Sequence, residues 1–155
     1  MSATTSETDL TIKTLDSFYC ANVVVSLWAD AVGNRLEGPA IYLLTDELSE
    51  VSEHARAAAQ QLADRIGDLG GAVTADPRQL VDARPGDGDF ELPDCGDIRS
   101  ITEIGLRELN VMIAAYEEFL VTVRDSDPVS HQLVTGLLGD ETHRRADIEA
   151  ALQRS

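Results

Sequence analysis

The segment from Ile41 to Leu69 limits what this chain can fold into more than any other. Ile41, Leu44, Leu48, Val51, Ala55, Ala58, Leu62, Ile66 and Leu69 step by three and four without interruption. That is the period of an α-helix with one apolar stripe, here about eight turns long at 3.6 residues per turn. The opposite face carries Glu47, Glu50, Glu53, Arg56, Gln60 and Asp64, and Gly70-Gly71 ends the pattern as a C-cap. So long a stripe needs other long helices beside it, because most helical stability comes from burying such a face.

Three further segments supply them. The first helix is expected from about Thr8–Thr11 to Val32, with Leu15, Phe18, Tyr19, Val25, Trp28 and Val32 at helical spacing and Gly33-Asn34 as its stop. Residues 1–7 are set aside as a flexible N-terminus, and 8–155 form one domain. A connector, NRLEGP, leads into the second helix, with Pro39 suited to its first turn. The third helix starts from Asp97 as N-cap and reaches Arg124, burying Ile98, Ile101, Leu109, Met112, Tyr116, Leu120 and Val123. The fourth opens at Pro128 and carries Val134, Leu138, Ile148 and Leu152. Between helices two and three lies a long connection, with a short helix expected in ADPRQLVDA and a loop in RPGDGDFELPDCGD. Two helical hairpins joined by a long crossover predict an all-α four-helix bundle in which helices two and three run parallel.

Charge narrows the function. Against 28 acidic residues stand 12 basic ones, a formal net charge of −16, and Lys13 is the sole lysine. The 43% of hydrophobic residues are periodic, so this is a folded acidic protein and not a disordered one. Such a surface is expected of a protein adapted to high salt, where screening removes the mutual repulsion of carboxylates. Non-specific DNA binding is disfavoured, because no basic tail or stripe is present to neutralise phosphates. No apolar run is long enough to span a membrane, and MSATTSETD lacks the features of a signal peptide, so a cytoplasmic location is expected. Cys20 and Cys95 have no metal-type spacing and are read as reduced thiols, one buried and one in a loop.

EGP at Glu37–Pro39, LADRIGDLGG closing helix two, DIRS opening helix three and DPVSHQLVTGLLGDETHRRADIE on helix four together resemble the ferritin-like superfamily. The likeness is to its Dps branch, the DNA-protection-during-starvation proteins, and covers nearly the whole chain. It implies a ferritin-like four-helix bundle assembling into a hollow dodecamer that oxidises and stores iron. Carried over by position, the inter-subunit ferroxidase ligands of Dps proteins fall on Gly33, Thr45, Ser49, Gln60 and Asp64, of which only Asp64 is acidic. The layout that keeps the site inside one bundle falls on Ala55, Ala58, Leu109, Asp140 and His143, and only the last two keep ligand atoms.

Several residues remain as metal candidates, each beside a plainer role. Asp140, Glu141 and His143 form an Asp-x-x-His turn with two side chains on one helix face, suited to a metal or simply to solvent. Glu50 and His54, four apart, can chelate or pair with each other. Asp64 stands beside Arg65 and is expected in a surface ion pair, and His131 is expected to be exposed. Asp87, Asp89 and Glu91 in the long loop suit a cation-attracting pore or general acidity. Val23, Val24, Leu27 and Leu43 lie off the core stripes and are expected to form subunit contacts in a homo-oligomer. Two functions follow: an iron-storage shell protein of the oxidative-stress class with its standard site largely lost, or a ferritin-like scaffold that stores no iron.

Overall fold

A computed structural model describes residues 2–86 and 92–154. Four long helices dominate it: α1 (Ser2–Gly33), α2 (Ala40–Asp68), α4 (Ile98–Val123) and α5 (Pro128–Arg154). The connection after α2 contains a 3-10 turn, Pro77–Gln79, that runs directly into the short helix α3 (Leu80–Ala83). The short helix expected between residues 75 and 83 is therefore present.

Helix α1 begins at Ser2, earlier than the Thr8–Thr11 start that the apolar period suggests. The segment expected as a flexible terminus thus has helical backbone. No glycine or proline lies between Ser2 and Leu10, so nothing in the backbone stops the helix from continuing outward. Two other helix ends follow their capping residues. The Asp97 carboxylate accepts from the backbone N–H groups of Arg99 and Ser100 and so caps α4. Helix α2 closes with Gly71 N–H donating to Ile66 O and Gly70 N–H to Gly67 O. Those two bonds form a Schellman motif, which needs the left-handed φ of +87° at Gly70.

The same turn seats α1. A Cβ at Gly71 would lie 2.7 Å from Ile12 Cγ2 and 3.2 Å from Ile66 Cγ2. Gly71→Ala is therefore expected to destabilise the subunit by about 1–3 kcal/mol, as overpacking does. A denaturant titration of the variant measures this, and an unchanged midpoint would refute the tight approach. Beyond the turn, Asp16 of α1 accepts from both Thr74 N (2.8 Å) and Thr74 Oγ1 (2.6 Å), which pins the start of the crossover. Further along, Arg84 Nη1 lies 3.4 Å from Glu108 Oε2 of α4, with both side chains largely buried. The crossover ends where Glu37 N–H donates to Cys95 O at 3.1 Å, tying it to the α1–α2 connector.

Helix directions follow from which residues meet. Arg65 reaches Ser130, and His54 reaches Glu141 about three turns away, so α2 and α5 are antiparallel. Arg145 donates to Asn110 across the α4–α5 hairpin, so these two are antiparallel as well. Helices α2 and α4 are consequently parallel, as a single long crossover requires.

The main core draws on all four long helices: Leu15 and Phe18 from α1, Leu62 and Ile66 from α2, Met112, Tyr116 and Phe119 from α4, and Val134 and Leu137 from α5. Phe18 packs edge-to-face against Tyr116 (centroids 4.9 Å apart, 88°) and Phe119 (5.5 Å, 84°), the arrangement that ring quadrupoles favour. A smaller cluster of Ala29, Val32, Leu36, Ala40, Leu48 and Ile101 fills the connector end. Two expectations change here. Ile41, placed on the core stripe, is exposed, because it lies in the first turn of α2 beyond the end of α1. Val24, expected at a subunit contact, is buried within the bundle; Leu27 and Leu43 are exposed as expected, and Val23 is half-buried.

Candidate metal centre

The middle of the bundle is where four facing helices can aim side chains at one point. Three buried positions on α2 and α4 are apolar here. Ala55 is 3% exposed, Ala58 2% and Leu109 7%. A divalent iron needs several oxygen or nitrogen donors converging on it. The methyl groups and leucine at these positions donate nothing, so the intra-bundle layout does not fit this chain. Among the described residues, no three histidine, cysteine, aspartate or glutamate side chains are grouped as a metal site.

The candidate ligands are dispersed. Asp64 is exposed, and its Oδ1 accepts from Gln60 Nε2 at 2.8 Å. It is not the partner of Arg65, whose guanidinium turns the other way. Arg65 Nη2 lies 2.8 Å from Asp127 Oδ1, and Arg65 Nε donates to Ser130 Oγ at 2.9 Å. Adjacent residues on a helix point about 100° apart, which is why neighbours in sequence part company here. Asp140 and His143 are both exposed on α5, and His143 Nε2 sits 3.5 Å from Asp147 Oδ2, one turn further on. Glu50 is exposed as well, and the His54 ring meets Glu141 of α5 instead of Glu50. His131 is half-buried, contrary to expectation, as the first turn of α5 packs against the end of α2. Asp87, Asp89 and Glu91 lie outside the described residues.

A polar layer crosses the bundle, with one residue from each long helix: Asn22, His54, Tyr116 and Glu141. Asn22 Nδ2 donates to Phe18 O (2.9 Å) and to Tyr116 Oη (3.1 Å). Burial pushes the Tyr116 phenol well above its usual pKa, the Asn22 hydrogen bond pulls it partly back, and the Glu141 charge adds to the rise. The phenol is therefore neutral at any physiological pH. His54 Nε2 lies 3.1 Å from Glu141 Oε1, with the histidine side chain 27% exposed and the glutamate 12%. The Nε2 atom itself is buried, and the contact is not aligned as a hydrogen bond. Reading one helix at a time hides this layer, since its members are 94 and 87 residues apart in the two pairs (Asn22 to Tyr116 and His54 to Glu141). The isolated polar residue on an otherwise apolar face, Asn22 beside Phe18 and Ala21, was the available signal.

The two free cysteines complete the inventory. Cys20 is buried, and burial pushes its thiol pKa up; a hydrogen bond with Thr74 lowers it in part, and the neighbouring Asp16 carboxylate raises it. It is an unreactive packing thiol. Cys95 is half-buried in the crossover.

Four long helices, one crossover bearing a short helix, and a parallel α2–α4 pair define a ferritin-type bundle. The ferritin-like domain signature matches residues 31–155, and the chain belongs to this family. Among solved structures, the bacterioferritin-related protein of Bacteroides fragilis, described as a dodecameric thioferritin, superposes with a TM-score of 0.86 at 20% identity, covering 95% of this chain and 86% of that one. Dps from Thermosynechococcus elongatus gives 0.84 at 19% identity over 97% and 94% of the two chains. Dps from Vibrio cholerae gives 0.86 at 13% identity over 96% and 92%. Among curated proteins no sequence relative matches. Among the described residues, no helix is long and apolar enough to cross a membrane.

Proposed function

We propose that this chain is a Dps-type, shell-forming member of the ferritin-like family, of the iron-storage and oxidative-stress class, in which the standard ferroxidase site is largely lost. The observation that supports this reading is the breadth of the family match, over residues 31–155, together with near-full-length likeness to Dps proteins and to a dodecameric thioferritin. Assembly is favoured by exposed apolar residues on the α1–α2 hairpin: Leu27, Ile41, Tyr42 and Leu43. A net charge of −16 draws ferrous ions, the cargo, towards the protein and suits a cytoplasm rich in salt. The same charge disfavours DNA as a partner. Oxidation then relies on dissolved oxidant and on carboxylates that nucleate the ferric product, instead of on a fast centre inside the bundle.

The second reading, a ferritin-like scaffold without iron, is favoured by one specific observation: Ala55, Ala58 and Leu109 pack the bundle centre as apolar side chains. One experiment separates the two. Purified protein in molar potassium chloride is first sized by gel filtration, then given ferrous iron with oxygen or peroxide and passed over the column again. The storage reading expects a particle far larger than 16.7 kDa that retains many irons per subunit, with oxidation little faster than a protein-free blank. An assembled particle holding no more iron than the blank would establish the scaffold. A monomer in molar salt would remove the shell altogether.

A further inference from the structure

Helix α5 is packed unevenly along its length. Its buried residues, Ser130, Val134 and Leu137, all lie in the proximal part, from Pro128 to Leu137. Among the described residues of α5 none after Leu137 is buried. Ile148 and Leu152, the last apolar positions of the sequence pattern, are half-buried and belong to neither apolar cluster. The antiparallel pairing carries this distal half past the N-terminal halves of α2 and α4. There the cluster of Ala29, Val32, Leu36, Ala40, Leu48 and Ile101 is built without it. The break falls at Gly139, where an added Cβ would meet nothing within 4 Å, so packing does not require the glycine. We propose that α5 is jointed at Gly139: its proximal part is an anchor, and residues 140–154 form a flap that opens and closes over the His54 side of the bundle while the rest stays folded.

Anchor and flap differ in what holds them. The anchor has the Asp127 cap, the Arg65 bonds to Asp127 and Ser130, and the buried Val134 and Leu137. The polar contacts of the flap are weaker. Arg145 donates to Asn110 at 3.3 Å on the surface, and His54 Nε2 lies 3.1 Å from Glu141 Oε1 without the alignment of a hydrogen bond. Surface contacts of the first kind contribute little. Closure also buries His54 Nε2 without a hydrogen-bond partner, a desolvation cost that opening relieves by admitting water. Gly139 adds to the cost of the closed helix, since glycine loses more backbone freedom on ordering than any other residue. A segment with few buried apolar contacts lies at the low end of the opening energies found within one folded domain. The joint is a property of the subunit and holds for a storage shell and a scaffold alike.

Hydrogen exchange of the full chain in molar potassium chloride, resolved amide by amide and corrected for intrinsic rates, is the test. Amides of residues 142–150 are expected to share one opening constant and to exchange at least about a hundred-fold faster than those of 134–137. That is the factor that two buried aliphatic side chains, such as Val134 and Leu137, represent at the low end. Gly139→Ala is expected to slow the distal block by about four- to five-fold, because residue 139 leaves the helix on opening and alanine favours the helix by that factor. Gly136→Ala, equally free of contacts but within the anchor, stays helical in both states and is expected to leave the block unchanged. Equal protection along the whole of α5 overturns the proposal, as does a smooth decline towards Arg154, the pattern of simple end fraying. A distal block that Gly139→Ala does not slow, or that Gly136→Ala slows as much, overturns it too. Should Gly139→Ala fail to fold, the profile of the unaltered chain decides alone.

Discussion

Ala55→Glu is expected to destabilise the subunit by at least about 3 kcal/mol, the cost of an unpaired buried charge. Ala55 is 3% exposed on the apolar stripe of α2, so a carboxylate there is withdrawn from water. The added side chain also exceeds the space of a methyl group, and overpacking adds its own cost. Ala57→Glu, two residues on and exposed, serves as the control and is expected to change stability by less than about 0.5 kcal/mol. Guanidinium unfolding of both variants in parallel makes the comparison, with the denaturant itself supplying the salt. A tolerated glutamate at residue 55 would mean that the centre is open and wet. The case against an intra-bundle iron site would then fail.

Arg65→Ala is expected to cost about 3 kcal/mol, for a different reason. The guanidinium joins the last turn of α2 to the start of α5, bonding Asp127 and Ser130, and both members of the ion pair are about five-sixths buried. Asp127 is already occupied locally: it accepts from Ser130 N at 3.0 Å and from Ser130 Oγ at 2.5 Å as the cap of α5. Losing Arg65 leaves that carboxylate partly desolvated without its cation. Burial alone raises the Asp127 pKa, but the two Ser130 hydrogen bonds and the Arg65 charge outweigh it and hold the carboxyl below its ordinary value. The sign follows. A carboxyl with a depressed folded pKa stabilises the native state above its unfolded pKa of about 3.9, and that contribution is lost as pH falls through the folded value. The difference in stability between wild type and Arg65→Ala should therefore be constant near neutrality and shrink below about pH 4. A difference independent of pH down to acid unfolding would mean that Arg65 acts by packing alone.

Much of the fold could be read locally. The stripe from Leu44 to Leu69, the Asp97 cap, the Gly70-Gly71 stop and Pro128 at a helix start are determined by spacing and by backbone chemistry within a few residues. Ala55, Ala58 and Leu109 were legible as core for the same reason: they fall on apolar stripes. The errors were of another kind. Ile41 has the right phase for the core but lies where α1 has already ended, and periodicity carries no information on how far a neighbouring helix extends. Val24 lies off the α1 stripe and is buried nonetheless, because a helix in a bundle is covered by two neighbours and buries a wider arc than one stripe.

Partners of charged and polar groups were the least legible. The sequence offers His54 a pair one helical turn away in Glu50, and Asp64 a neighbour in Arg65. The folded protein instead pairs His54 with Glu141 and Arg65 with Asp127. By itself the sequence determined four helices, two of their caps, one crossover and the apolar stripes, since each depends on torsional and hydrophobic preferences of short segments. Only the tertiary structure decided which helix faces meet, and with them the polar layer of Asn22, His54, Tyr116 and Glu141. Those contacts depend on axial register between helices far apart in the chain, and a shift of one residue turns a side chain by about 100° and removes it from the site.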